Sequence, residues 1–157
     1  MKPKVYLETS VIGYYASKPS RDLITAANQQ VTVEWWDKYL PKFDAYISPL
    51  VYDEISKGDA NASKQRIEIV TGIQELEITP KVLSLAKTYY EILQIPEKAK
   101  ADATHLALAT IHSIDYLVSW NCVHIVGGRV RKIIENYNII NGLFLTTLCT
   151  PQELMED

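Results

Sequence analysis

The 157-residue sequence is short of cysteine, glycine and positive charge: it has two Cys, six Gly, and 16 Lys and Arg against 19 Asp and Glu. Cys122 and Cys149 show no CxxC or CxxxC spacing and no His/Cys partner set, which argues against a disulfide scaffold or a zinc module and suits a reducing cytosol. No apolar run approaches the roughly 18 residues of a membrane span, and MKPKVYLET has no apolar stretch before its first carboxylate. The expectation is a cytoplasmic protein with no membrane partner. The Gly127-Gly128-Arg129-Val130 stretch lacks the GxGxxG spacing of a nucleotide fingerprint. A net charge of −3 argues against general electrostatic binding of nucleic acid but leaves room for a local basic patch.

What the chain does have is 47% hydrophobic residues and 22% charged ones, a balance that suits one globular domain over residues 1–157. Short apolar runs alternate with longer helical segments, the pattern of an α/β domain with a mainly parallel sheet. The expected strands are Lys4 to Glu8, Ala45 to Ser48, Leu76 to Ile78, Tyr116 to Ser119 and Leu143 to Leu145. Helices are expected over 21–40, with Ile24, Ala27, Val31 and Trp35 as a buried stripe, and over LVYDEISKG after Pro49, closing near Gly58. Further helices fit 61–72, 80–94, 97–113 and 129–136, and Thr150-Pro151-Gln152-Glu153 caps a terminal one.

The strand ends carry the chemistry. In open parallel sheets, ligands collect outside the carboxyl ends of strands, where Glu8 closes the first strand and Asn121 follows the fourth. Glu54 and Asp102 lie on helices that could reach the same crevice. Three carboxylates and an amide oxygen would suit Mg²⁺ or Mn²⁺, which take oxygen ligands and share their shell with water and substrate phosphate. Two unit charges about 4 Å apart repel by about 4 kcal/mol at an effective dielectric of ~20, so such a cluster calls for a cation or a bound proton.

Four blocks, VYLETSVIGYY, SPLVYDEISKGD, KADATHLALATIHSIDYLVSWNCVHI and LTTLCTPQELME, resemble in order and spacing the PIN-domain family, specifically the ribonuclease toxins of VapC-class toxin–antitoxin pairs. The resemblance covers nearly the whole chain. It implies a three-layer α/β/α sandwich with strand order 3-2-1-4-5, a Mg- or Mn-dependent endoribonuclease acting on RNA, an antitoxin partner and a homodimer. The family's acidic positions fall on Glu8, Glu54, Asp102 and Asn121, and Thr9 or Ser10 matches its small hydroxyl residue. Glu8, Glu54 and Asp102 would then hold the metal, Asn121 would orient water or touch the metal edge, and Thr9 or Ser10 would bond a ligand or phosphate. Glu8 and Asn121 depart from the family's usual Asp, and resemble a branch with a YLETT-type opening and a TWN-type fourth strand.

Arg129, Arg131, Lys132 and His124 could supply positive charge to an RNA backbone, beside the N–H groups that open their helix. Plainer readings stand next to these. Glu8 could cap Ser10, Glu54 could pair with Lys57 at i,i+3, His105 could be a structural partner of Asp102, and Asn121 could cap the next turn. Tyr14, Tyr15, Tyr89 and Tyr90 suit core or interface packing better than RNA stacking, and the helix around 82–93 is one possible dimer face. The alternative functions are a catalytically weakened PIN-like module that binds RNA or protein, and a small phosphoester hydrolase on a similar sheet.

Overall fold

A single parallel sheet organises the chain, which a computed structural model describes over residues 1–156. The strands are β1 (Lys4–Leu7), β2 (Asp44–Ile47), β3 (Gln74–Glu75), β4 (Tyr116–Val118) and β5 (Thr147–Cys149). They are ordered β3-β2-β1-β4-β5, with every neighbouring pair parallel. Between them run α1 (Thr9–Ala16), α2 (Leu23–Lys38), α3 (Pro49–Ile55), α4 (Ala60–Val70), α5 (Pro80–Leu93), α6 (Lys100–Ile111) and α7 (Gly128–Ile140). Successive strand side chains point to opposite faces, yet Val5, Tyr6 and Leu7 of β1 are all fully buried. Both faces of the central strand are therefore covered, which makes the domain a three-layer α/β/α sandwich. The helices pack in two groups, α1 with α2, α3 and α4, and α5 with α6 and α7. Right-handed crossovers account for the division: the chain moves from β1 to β3 with helices on one face and returns past β1 with helices on the other.

Local sequence explains where helices begin. Asp22, Ser48, Asp59 and Thr79 each accept a backbone N–H of the turn they open, and Pro49 and Pro80 occupy first-turn positions that need no N–H donor. Gly58 and Gly72, at φ +87°, end α3's turn and α4 in the left-handed region where a side chain would be strained.

Several expected boundaries move. β1 stops at Leu7, and Glu8 instead caps α1, a helix the sequence pattern did not separate from the strand. The stripe expected on α2 holds only in its second half: Trp35 is fully buried and Val31 half-buried, but Ile24 is 74% exposed and Ala27 exposed, and Gln29 and Thr32 are buried with Trp35. Two of those residues are polar and have internal partners. Gln29 bonds the Ser20 N–H and the Lys18 carbonyl, and Thr32 accepts the Trp120 indole N–H. Hydrogen bonding by Gln29 and Thr32 joins the burial of Trp35 in turning that face inward.

The third strand is Gln74–Glu75, not 76–78, although Leu76 still donates its N–H to the Ile47 carbonyl at 2.7 Å. The fifth strand is Thr147–Cys149, not 143–145. Leu143, Phe144 and Leu145 form the connection after α7, fixed by Leu143 N–H to the Asn138 carbonyl and by Asn138 Nδ2 to the Phe144 carbonyl. α7 extends to Ile140, four residues past the expected end at Asn136. α5 packs Val82, Leu85, Ala86, Tyr89 and Leu93 inside the chain, largely against α6, and leaves Leu83 56% exposed on its outer side.

Candidate functional site

The ladder register aligns the strand ends. Leu7 lies beside Val118, and β1 pairs with β2 through Lys4 and Asp44. One step beyond the ladders, Ser48, Glu8 and Ser119 stand at the carboxyl ends of three adjacent strands, at the point where the winding direction reverses.

Glu8 is 6% exposed, and its Oε1 takes every hydrogen bond the side chain makes among the described residues. The donors are Ser10 N–H at 3.1 Å, the Ser10 hydroxyl, and the Ser119 hydroxyl at 2.7 Å. Those two hydroxyls are themselves held by backbone N–H groups, Ser10 Oγ by Trp120 and Ser119 Oγ by Asn121. Glu54 repeats the arrangement from α3. Its Oε1 accepts Thr9 Oγ1–H at 2.6 Å and a ring N–H from His105 Nε2 at 2.7 Å, and its Oε2 has no protein partner among the described residues. Thr9 and Ser10 thus give their hydroxyl protons to Glu54 and Glu8 and orient those carboxylates. Lys57 forms its ion pair with Asp53 at 3.3 Å rather than with Glu54.

Asp102 comes to the same place from the first turn of α6. Its Oδ2 accepts Asn121 Nδ2–H at 3.2 Å, while Asn121 Oδ1 accepts the backbone N–H of His124 at 3.0 Å. The amide orientation follows from the network, since the His124 N–H can only donate. Asn121 therefore does cap the following turn, and it shows Asp102 a donor. One lone pair of its oxygen is taken by the His124 N–H, which leaves the other for a water or a metal edge.

His105 is fully buried and bonds Glu54, not Asp102, with its other nitrogen, Nδ1, 2.7 Å from the Tyr6 hydroxyl. Tyr6 and Ser48 had no place in the sequence-based site. Tyr6 alternates onto the α6 face of β1, and Ser48 precedes Pro49, so the signals available were a hydroxyl on a buried strand and a serine at a strand's carboxyl end. Ser119 was the same kind of signal.

The charges act on one another. Burial raises the Asp102 carboxyl and Glu8 adds to that, so it sits above the usual aspartate range despite the lowering effects of His105, His124 and Asn121. Burial would also raise Glu54, but the His105 and Thr9 hydrogen bonds outweigh it and hold Glu54 below its usual range. Burial would lower His105, yet its bond to Glu54 and the charges of Glu8, Glu54 and Asp102 bring it above the ordinary histidine range. His105 is the group on which all three carboxylates act.

Of the basic candidates, Arg131 is engaged elsewhere. It grips Glu153 through Nη1 at 3.0 Å and Nη2 at 2.7 Å and donates Nε–H to the Val126 carbonyl, tying α7 to the C-terminal turn. Arg129 donates to the Leu93 carbonyl. Lys132 is exposed with no ion pair among the described residues, and His124 is half-buried beside Asp102. Tyr14 stacks on Trp120 with centroids 6.0 Å apart and Tyr15 on Trp36 at 4.6 Å, while Tyr89 is buried and bonds Asn138 at 2.6 Å.

Among the described residues no group of three or more His, Cys, Asp or Glu side chains forms a ready-made metal cage. A hydrated Mg²⁺ or Mn²⁺ asks for less, one or two carboxylates with water and substrate completing an octahedron. Glu8 and Glu54, each with one oxygen tied down and the other without a protein partner, fit that demand, and the all-oxygen set suits hard cations over zinc. No helix of the described residues is long and apolar enough to cross a membrane. No protein-family model matches the chain, and no curated protein matches it.

Proposed function

We propose that the protein is a Mg- or Mn-dependent endoribonuclease of the PIN type, acting in the cytoplasm as the toxin of a type II toxin–antitoxin pair. One observation carries the reading: Glu8, Glu54 and Asp102 all act electrostatically on His105 beside the switch point of the sheet, with the second oxygen of each glutamate unclaimed among the described residues. A bound divalent cation would supply a water of lowered pKa and neutralise charge on the scissile phosphate. Glu8 and Glu54 would hold it. Asp102, above the usual aspartate range and half-buried, is placed to bind at the third side or to accept a proton from the attacking water. The hydroxyls of Thr9, Ser10 and Ser119 keep the carboxylates from rotating between turnovers. Exposed Lys132, with His124 nearer the carboxylates, is the basic contact for an RNA backbone. The antitoxin would place a basic side chain in the acidic crevice, and the active form would be a homodimer.

The test is cleavage of single-stranded RNA by the purified protein with Mn²⁺ and with chelator. Asp102→Asn and Glu54→Gln should each lose on the order of a hundredfold in rate while keeping the wild-type circular dichroism spectrum. Equal cleavage by those variants would sink the proposal. The orientation of Asn121 favours one second reading, a PIN-like module that binds RNA or protein without cutting it. Calorimetry separates the two, because the binding module takes up its partner tightly and Mn²⁺ not at all.

A further inference from the structure

A chain of hydrogen bonds runs from the core to Glu54. Ser48 Oγ accepts the Val51 N–H at 3.2 Å and lies 2.8 Å from the Tyr6 hydroxyl, which lies 2.7 Å from His105 Nδ1. His105 Nε2 is 2.7 Å from Glu54 Oε1. Tyr6, Ser48 and His105 are all fully buried, so the Ser48–Tyr6 and Tyr6–His105 bonds are shut off from bulk water, while the His105–Glu54 bond is partly buried. An ionised Glu54 can only accept, which assigns the proton to His105 Nε2. With a neutral ring, Nδ1 accepts from Tyr6, whose oxygen accepts from Ser48; with a protonated ring, Nδ1 donates to Tyr6 and Tyr6 to Ser48, so each donor in the chain has an acceptor in either state. Three elements, β1, α3 and α6, are joined by the chain, so the ring can neither rotate nor withdraw without breaking two hydrogen bonds.

We propose that His105 is a positioning residue, locked by Tyr6, that dedicates Glu54 Oε1 to the protein and leaves Oε2 as the single oxygen Glu54 can give a divalent cation. Thr9 completes the lock from the other side at 2.6 Å. Ser10 and Ser119 impose the same restriction on Glu8, so both glutamates act as one-oxygen ligands. The consequence is cation selectivity. Mg²⁺ and Mn²⁺ accept one oxygen per carboxylate in an octahedron, whereas Ca²⁺ prefers larger shells in which carboxylates bind through both oxygens. The positioning role rests on the metal-site reading above.

The experiment is calorimetric titration of Mn²⁺ and of Ca²⁺ into the whole chain as wild type, His105→Leu, His105→Gln and Tyr6→Phe, with a thermal melt of each. Wild type should bind Mn²⁺ more tightly than Ca²⁺. His105→Leu should lose about tenfold to a hundredfold in Mn²⁺ affinity and narrow the Mn²⁺/Ca²⁺ ratio, because Glu54 becomes free to bind through both oxygens. His105→Gln, whose amide nitrogen can replace Nε2, should recover most of the Mn²⁺ affinity. A merely structural role would shift the melts and leave the ratio unchanged. If His105→Leu does not fold, Tyr6→Phe decides, with weaker Mn²⁺ binding and a narrower ratio expected. Wild-type Mn²⁺ affinity and ratio in the folded variants would overturn the positioning role alone. Absence of Mn²⁺ binding in wild type would overturn the metal site and the positioning role together.

Discussion

Asn121 turns its amide nitrogen to Asp102, with Nδ2 3.2 Å from Oδ2, while its amide oxygen holds the His124 N–H. The pair explains how an amide can stand where a carboxylate is usual in the family the sequence resembles. Asp102 already sits above the usual aspartate range through burial and the charge of Glu8, and a donor beside it works against that rise.

Asn121→Asp should keep the turn, since a carboxylate oxygen can still accept the His124 N–H. It would set a second negative charge against Asp102, a repulsion of about 1 to 4 kcal/mol at effective dielectrics of ~80 to ~20. The variant is expected to melt below wild type in chelator and to gain more than wild type from Mn²⁺. Matching melting curves in both conditions would show that the two side chains do not face one another.

The turn that carries Asn121 closes against Gly127. A Cβ built on Gly127 would meet the Cys122 carbonyl oxygen at 2.0 Å, whereas one on Gly128 meets nothing within 4 Å. The backbone of Gly127 is unstrained at φ −68°, so close approach and not conformation demands the glycine. Gly127→Ala should cost about 1 to 3 kcal/mol in denaturant unfolding and weaken Mn²⁺ binding by displacing Asn121. Gly128→Ala, at the start of α7, should stay within about 1 kcal/mol of wild type and bind Mn²⁺ unchanged.

Acid should weaken the tie between the C-terminal turn and α7. The Arg131 hydrogen bonds, with the Thr150 N–H and hydroxyl, hold Glu153 down to about 2, against an ordinary value of 4.5. The folded state therefore binds fewer protons than the unfolded chain, and the contribution is complete above about pH 4.5 and fades as pH falls toward 2. Both partners are more than a third exposed, at 37% and 43%, so solvent screening limits the contribution to about 1 kcal/mol. The stability gap between wild type and Glu153→Gln, read by urea unfolding, should shrink from pH 6 to pH 2.5. A gap that stays constant would mean that the ion pair contributes nothing through Glu153's charge.

The alternation of helices with parallel strands was legible because it depends on features that are local in sequence: alternating runs and Pro- or Gly-marked helix ends place the elements, and Glu8 stands out as a carboxylate at a strand's end. The strand order, the three layers and the grouping of Glu54 and Asp102 with Glu8 were expected only from the family resemblance, because local pattern says nothing of which distant elements meet. What failed depended on distant partners. Gln29 and Thr32 look like an outer face until Lys18, Ser20 and Trp120 are brought to them. Leu143 to Leu145 reads as a strand by apolarity, yet the ladder of Tyr116–Val118 selects Thr147–Cys149 by register. The Tyr6–His105–Glu54 chain was hidden for the same reason, since residues 6, 48, 54 and 105 meet only in the fold.

The sheet order carries a further consequence for how the protein is made. β1 is synthesised first but lies in the middle, and its partner β4 lies more than a hundred residues further along the chain. Pairing at such separation closes a long loop before any contact rewards it, so folding should be slow and strongly cooperative. Glu8 cannot meet Ser119, nor Asp102 meet Asn121, until β4 and the turn after it have left the ribosome. A nascent chain that stops short of β4 therefore has the carboxylates without the partners that orient them, and any activity they support arises only once that strand is in place.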